Sequence, residues 1–105
     1  VQAFGKMAID TRTLLVDFLS LSGHKLGAPK GVGAMFVRRG TPVAPLFFGG
    51  SQCRGRRPGT ENVANAVALA TAMELTLAEQ ASETRRLTAL RDHLEGALRE
   101  AIPDV

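Results

Sequence analysis

The run Val16-Asp17-Phe18-Leu19-Ser20-Leu21 does most to narrow the fold. It reads as a strand continuing through Ser22, and Phe18, Leu19 and Leu21 make it apolar on both faces. A strand of that kind belongs inside a sheet covered on both sides, which points to an α/β protein. The strand runs into Ser22-Gly23-His24-Lys25. A hydroxyl, an imidazole and an amine therefore sit at a sheet edge, where α/β proteins keep their ligands. On an extended chain Ser22 and His24, two apart, share one side. Gly23 allows the backbone to come close to a ligand. Lys25 is the candidate for chemistry, because a lysine held neutral by desolvation or neighbouring cations attacks carbonyls and forms Schiff bases. Taken singly, the same residues also read as a turn with a solvated lysine.

The flanking segments are shorter and more broken. Val1 to Gly5 reads as the end of a strand, Lys6 to Ile9 as a short extended piece, and Asp10 or Thr11 as the cap of a helical turn through Leu14. Gly27 to Gly31 reads as a turn, with Pro29 fixing its own φ and pushing Ala28 to extended geometry. Ala34 to Val37 is strand-like, so the glycines before it do not form a nucleotide loop: their spacing is wrong and no helix start follows. Arg38 to Pro42 is a hairpin-like exit, and Val43 to Phe48 a further short strand restricted to an edge by Pro45.

Gly49 to Thr60 is a glycine-rich, basic loop that reads either as a solvated surface loop or as an anion-handling one. In the second reading Arg54, Arg56 and Arg57, beside Gly55 and Gly59, let guanidinium and backbone both reach a phosphate or carboxylate. Thr60 is placed to cap a helix starting near Glu61. From there the spacing predicts helix: Val63, Ala66, Val67, Ala70, Met73 and Leu77, then Leu87, Leu90, Leu94, Ala97, Leu98 and Ala101. Either Ser82 or Thr84 caps a second helix, or one helix runs through with its apolar face rotating. Pro103 ends it. The stripes read as core.

Charge separates the two halves. Residues 1–60 carry nine Lys/Arg against two Asp/Glu, and residues 61–105 carry four against eight. An anionic ligand is drawn to the first half. The chain has no Trp or Tyr for stacking platforms and its basic stretch is short, which argues against nucleic acid. Its apolar runs are too short to span a bilayer. One cysteine excludes an internal disulfide and fits a reducing, cytoplasmic setting.

Three segments together resemble a known family. Ser22-Gly23-His24-Lys25 with Gly27-Ala28-Pro29-Lys30-Gly31-Val32-Gly33 resembles the lysine segment of cysteine desulfurases of the aminotransferase class V group, which use pyridoxal 5'-phosphate (PLP). Gly49-Gly50-Ser51-Gln52-Cys53-Arg54-Gly55-Arg56-Arg57-Pro58-Gly59-Thr60-Glu61-Asn62 and Val1-Gln2-Ala3 agree with it in order and near the family's spacing. The resemblance implies part of a fold-type I PLP-dependent transferase: residues 1–47 end the large cofactor domain, 48–60 form an active-site loop, and 61–105 are helices leading to the small domain. It implies that Lys25 holds PLP covalently and later shuttles a proton. Ser22 and His24 hold the phosphate, Gln2 bonds the phenolic oxygen, and Thr60 reaches the phosphate of the cofactor in the partner subunit of a homodimer.

The implied reaction takes sulfur from L-cysteine, leaving alanine and an enzyme persulfide for an acceptor such as an iron–sulfur scaffold; no metal site is implied. Thr60 can also cap its helix only if the phosphate sits at that helix start. At Cys53 the family commonly has glutamate, and its nucleophilic cysteine lies well downstream of Thr60, so Cys53 reads as incidental. The start at Val1 and the lack of the ring-stacking residue, the pyridinium partner and the substrate-carboxylate arginine imply a fragment that is inactive alone. A selenocysteine lyase, a class V aminotransferase and a non-enzymatic anion or nucleic-acid binding module are the alternatives.

Overall fold

The computed structural model describes residues 1–102. Its elements run in the order β1 (Phe18–Ser22), a 3-10 turn η1 (Gly23–Leu26), β2 (Gly33–Val37), a one-turn element α1 (Gln52–Gly55) and a long helix α2 (Val63–Ala101). β1 and β2 pair antiparallel, from Phe18 opposite Val37 to Ser22 opposite Gly33. Among the described residues β1 has this one neighbour. Neither of its faces is fully covered: Phe18 and Ser20 are exposed and Leu19, Leu21 and Ser22 half-buried, where the sequence predicts a strand inside a covered sheet.

The open end of the hairpin is tied by a buttress not anticipated from the sequence. The Arg38 guanidinium donates from Nε to the Val16 carbonyl (3.0 Å) and from Nη2 to the Leu14 carbonyl (2.6 Å), while its backbone amide donates to Asp17 O (2.9 Å). The segment it holds is the expected turn. Leu14 N donates to Asp10 O at 3.0 Å, and the Asp10 carboxylate accepts from Arg12 N at 2.9 Å. Asp10 is therefore the capping residue.

Two predicted strand segments are not strands. At Val1 to Gly5 the chain turns: the amides of Lys6 and Met7 both donate to Ala3 O (3.0 and 3.1 Å). Gly5 takes φ 78, and a Cβ there would lie 2.2 Å from Thr76 Cγ2 on α2. Only glycine combines that backbone with that approach. Val43 to Phe48 stays irregular, with bends at Leu46 and Phe47. Pro45 has no N–H to give a ladder, and no strand pairs with the segment among the described residues.

α2 is one uninterrupted helix of 39 residues. At about 1.5 Å per residue it is about 58 Å long, which sets the longest dimension of 61 Å. No proline interrupts residues 61–102, and at the midpoint Ser82 bonds back to Glu79 O (2.9 Å) instead of capping a new helix. The cap at its start is Asn62, whose Oδ1 accepts from Asn65 N (3.2 Å), and Thr60 lies two residues too early for that role. The predicted stop at Pro103 falls outside the described residues.

Of the predicted apolar stripe, Met73 alone lies on the packed face. Packing selects Asn65, Ala68, Leu69, Ala72, Met73, Thr76, Gln80 and Glu83, which recur every three or four residues along one face. Leu69 and Ala72 join Ala28 as the buried core, with Leu21, Leu26, Val32 and Met73 packed against them. Val63, Val67 and Leu77 remain exposed, as do Leu87, Leu90, Leu94 and Leu98 beyond the contact. The face that packs is the one the η1 turn lies against, and Leu69 is its most buried residue. The core therefore sits beneath the Ser22–Val32 connection.

Candidate functional site

Ser22 closes the β ladder, and the chain turns at once into η1. Gly23 is the pivot. It is buried, its amide donates to Val32 O (2.9 Å), and its carbonyl accepts from Ala28 N (3.0 Å). A Cβ at this position would stand 2.8 Å from both Val32 Cγ1 and Val32 O. Gly27 ends the turn in the left-handed region at φ 80, where glycine carries no steric penalty. Lys25 is thus held on a tight bridge between the hairpin and α2.

Ser22 Oγ lies 2.9 Å from His24 Nδ1. The sequence places these two residues together through strand alternation, but the structure joins them differently. The strand stops at Ser22, and the first turn of η1 swings the imidazole back over the hydroxyl. Ser22 is half-buried while His24 and Lys25 are exposed.

Lys25 lines an apolar-walled groove of about 420 Å³ with Phe4, Gly5, Lys6, Leu26, Thr76, Glu83, Thr84 and Leu87. The groove joins the N-terminal turn, η1 and the middle of α2. Lys6 and Glu83 bring a second amine and a carboxylate beside Lys25. Glu83 is also paired with Arg86, whose hydrogen bond holds its carboxyl below the usual carboxylate range. The sequence marks Thr84 only as a possible helix cap and Glu83 not at all, because their relation to Lys25 exists only through the seating of α2.

The remaining expected residues are spread out. Gln2 is exposed just ahead of the Phe4–Lys6 turn, and Thr60 is exposed on the approach to α2. The basic loop is largely exposed but carries two contacts of its own. Gln52 Oε1 accepts from Gly59 N (3.3 Å), and the Arg57 guanidinium sits 5.0 Å from the Phe47 ring centroid. Within α1, Cys53 (φ 49, ψ 39) and Arg54 (φ 60, ψ 40) both take the left-handed conformation, which is uncommon away from glycine. Cys53 is exposed and lines a different groove, of about 620 Å³, with Met35, Val37, Leu46, Phe47 and Arg57. Among the described residues no group of His, Cys, Asp and Glu is arranged to hold a metal ion. No described helix is long and apolar enough to cross a membrane.

The family model for aminotransferase class-V matches residues 1–105. The chain is 50% identical over 104 residues to a cysteine desulfurase of Nostoc sp., which covers 99% of this chain and 26% of that protein. It is 48% identical over 103 residues to the cysteine desulfurase NifS of Azotobacter vinelandii, covering 98% of this chain and 26% of that one. A solved structure of a NifS-like protein superposes with a TM-score of 0.89 at 41% identity, over 95% of this chain and 27% of the other. A structure described as SspA in complex with cysteine matches with a TM-score of 0.66 at 44% identity, over 70% of this chain and 22% of that one. The chain spans about a quarter of the length of the curated relatives it matches.

Proposed function

The chain belongs to the aminotransferase class-V family, with the fold of the NifS-like structure it superposes on, and from that premise we propose that its residues serve a PLP-dependent cysteine desulfurase. The reaction takes the sulfur of L-cysteine onto an enzyme thiol, so that one C–S bond breaks, one S–S bond forms, and L-alanine and an enzyme persulfide remain. The observation that carries this reading is the Ser22–His24 pair at the end of β1, immediately before the exposed amine of Lys25. The names of the relatives favour a desulfurase over a selenocysteine lyase or an aminotransferase.

The donor set fits the cofactor. An aldehyde needs a primary amine, and a phosphate needs neutral or cationic donors clear of carboxylates. Lys25 offers the first, Ser22 and His24 the second, and Gly23 presents no side chain between them. When bound, the cofactor supplies an electron sink for carbanion chemistry. Lys25 Nζ would hold it and would move the proton. Ser22 Oγ and the His24 ring hold the phosphate, Gln2 the phenolic oxygen, and Thr60 the phosphate of the site in a partner subunit. Cys53 is read as an incidental thiol, and its place in a groove other than that of Lys25 supports this.

The reading carries with it a homodimer, a sulfur-accepting protein such as an iron–sulfur scaffold, and a cytoplasmic setting. It places residues 1–47 at the end of the large domain, 48–60 at the active-site loop and 61–105 on the way to the small domain. Borohydride reduction of the PLP-loaded full-length protein, followed by peptide mapping, tests it. The label is expected on Lys25, together with loss of near-visible absorbance in Lys25→Ala. A label on Lys6 or Lys30 would overturn the assignment.

A further inference from the structure

The N-terminal turn is placed on the rest of the molecule by packing. Its backbone bonds run within it, from the Lys6 and Met7 amides to Ala3 O (3.0 and 3.1 Å). Ala3, Phe4 and Gly5 are half-buried, while Gln2 and Lys6 on either side are exposed. The covered side of the turn is the one that meets α2. At Gly5, with φ 78, a Cβ would fall on Thr76 Cγ2. The backbone of Gly5 therefore rests on the Thr76 methyl with no side chain between them. A β-branched side chain is restricted at χ1, so that methyl is a stiff seat.

The Lys25 bridge rests on the same face of the same helix. Ala28 packs with Leu69 and Ala72, and Leu26 joins them. Thr76 follows Ala72 by four residues, about 6 Å farther along that face. Phe4, Gly5 and Lys6 meet Lys25 and Leu26 in one groove, with Thr76 in its wall. The helix is unbroken over this stretch, so the spacing between the two seats is fixed by its rise. Gln2 directly precedes Ala3, whose carbonyl is bonded to both amides of the turn, and it moves with the turn.

We propose that α2 sets Gln2 against Lys25, and that Thr76 is the positioning residue. Its Cγ2 methyl, seated on the bare Cα of Gly5, holds the N-terminal turn at a fixed place beside the Lys25 bridge. This rests on the reading that Lys25 holds PLP and Gln2 bonds its phenolic oxygen. Thr76 itself touches neither.

Absorbance titration of the PLP-loaded full-length protein reads the reach of Gln2 without turnover. A donor on the phenolic oxygen draws off charge that otherwise steadies a proton on the attached Lys25 nitrogen. Losing that donor raises the pH midpoint of the near-visible band. Gln2→Ala should raise it by up to about one pH unit, the equivalent of one hydrogen bond. Gly5→Ala should raise it toward the same value, because the added Cβ pushes the turn off Thr76. Combining Gly5→Ala with Thr76→Ala should bring it back, since the Cβ at position 5 then meets only the Cβ at position 76, 3.7 Å away. Backbone strain at Gly5 is the same with and without the second substitution, so strain alone predicts no recovery. Hydrogen exchange of the segment 1–9 in the cofactor-free protein should follow the same order: faster in Gly5→Ala, and near wild type in the pair. A wild-type midpoint in Gly5→Ala, or a shift that Thr76→Ala fails to reverse, overturns the seat while Gln2 stays in the cofactor site. A wild-type midpoint in Gln2→Ala instead removes Gln2 from that site, and the positioning role of Thr76 goes with it.

Discussion

One methyl group at Gly23 tests how the Lys25 turn is held. In Gly23→Ala the new Cβ meets Val32 Cγ1 and Val32 O at 2.8 Å and Ala28 Cβ at 3.1 Å. The side-chain contact can be relieved by rotating Val32, but the carbonyl is backbone and is already bonded to the Gly23 amide at 2.9 Å. Gly23 does not have a positive φ, so alanine suffers no backbone penalty and the cost is steric. Overpacking of this kind costs about 1–3 kcal/mol. If the strand moves off, the amide bond adds about 1 kcal/mol. Lower chain entropy in the unfolded state offsets about 0.4–1 kcal/mol. The net expectation is a loss of roughly 1–3 kcal/mol. The displacement falls on His24 and Lys25, so near-visible absorbance on PLP loading should fall with it.

Gly27→Ala is the control. Nothing stands within 4 Å of its added Cβ, but φ is +80. Backbone strain there costs about 1–2 kcal/mol without pushing the turn off α2. Urea denaturation and PLP titration of the two full-length variants should therefore separate: both less stable, but only Gly23→Ala impaired in cofactor uptake. Wild-type stability and wild-type absorbance in Gly23→Ala would refute the packing argument.

Cys53→Ser should keep most desulfurase activity in the full-length enzyme, measured as alanine formed; loss of persulfide in this variant alone would make Cys53 the sulfur carrier. The isolated 105-residue chain should bind a hydrophobic dye strongly and show helical circular dichroism without a cooperative melt, because among the described residues only Ala28, Leu69 and Ala72 form a buried apolar core. A sharp thermal transition would contradict this. The Asp10 carboxyl is held below its ordinary range by hydrogen bonds from the Arg12 side chain and then its backbone amide. A carboxyl depressed in the folded state contributes stability above its unfolded pKa and loses it as pH falls through the folded one. The stability gap between wild type and Asp10→Asn should accordingly be widest at neutral pH and close on acidification; a gap independent of pH would dismiss the pair as a contributor.

Local chemistry was legible in the residues wherever it depended on near neighbours. The β1 and β2 segments, the capped turn at Asp10, the glycine turn and the helical content after Glu61 follow from apolar runs, side-chain caps and the absence of proline. The nearness of Ser22 and His24 was equally visible, since they lie two apart at the end of β1. The 3-10 geometry that joins Ser22 to His24 was not, because strand alternation and a tight turn bring positions two apart together equally well.

What faces what was decided by tertiary structure. The leucine and valine stripe of α2 looked like core by periodicity, but a period marks a face without naming its partner. The η1 turn lies on the face that carries Leu69, Ala72 and Met73, while Val63, Val67 and Leu77 stand on other faces and stay exposed. The same seating placed Glu83 and Thr84 in the groove of Lys25 and left Thr60 short of the helix start. Distance along the chain carries no signal for such meetings; close packing of two rigid elements does.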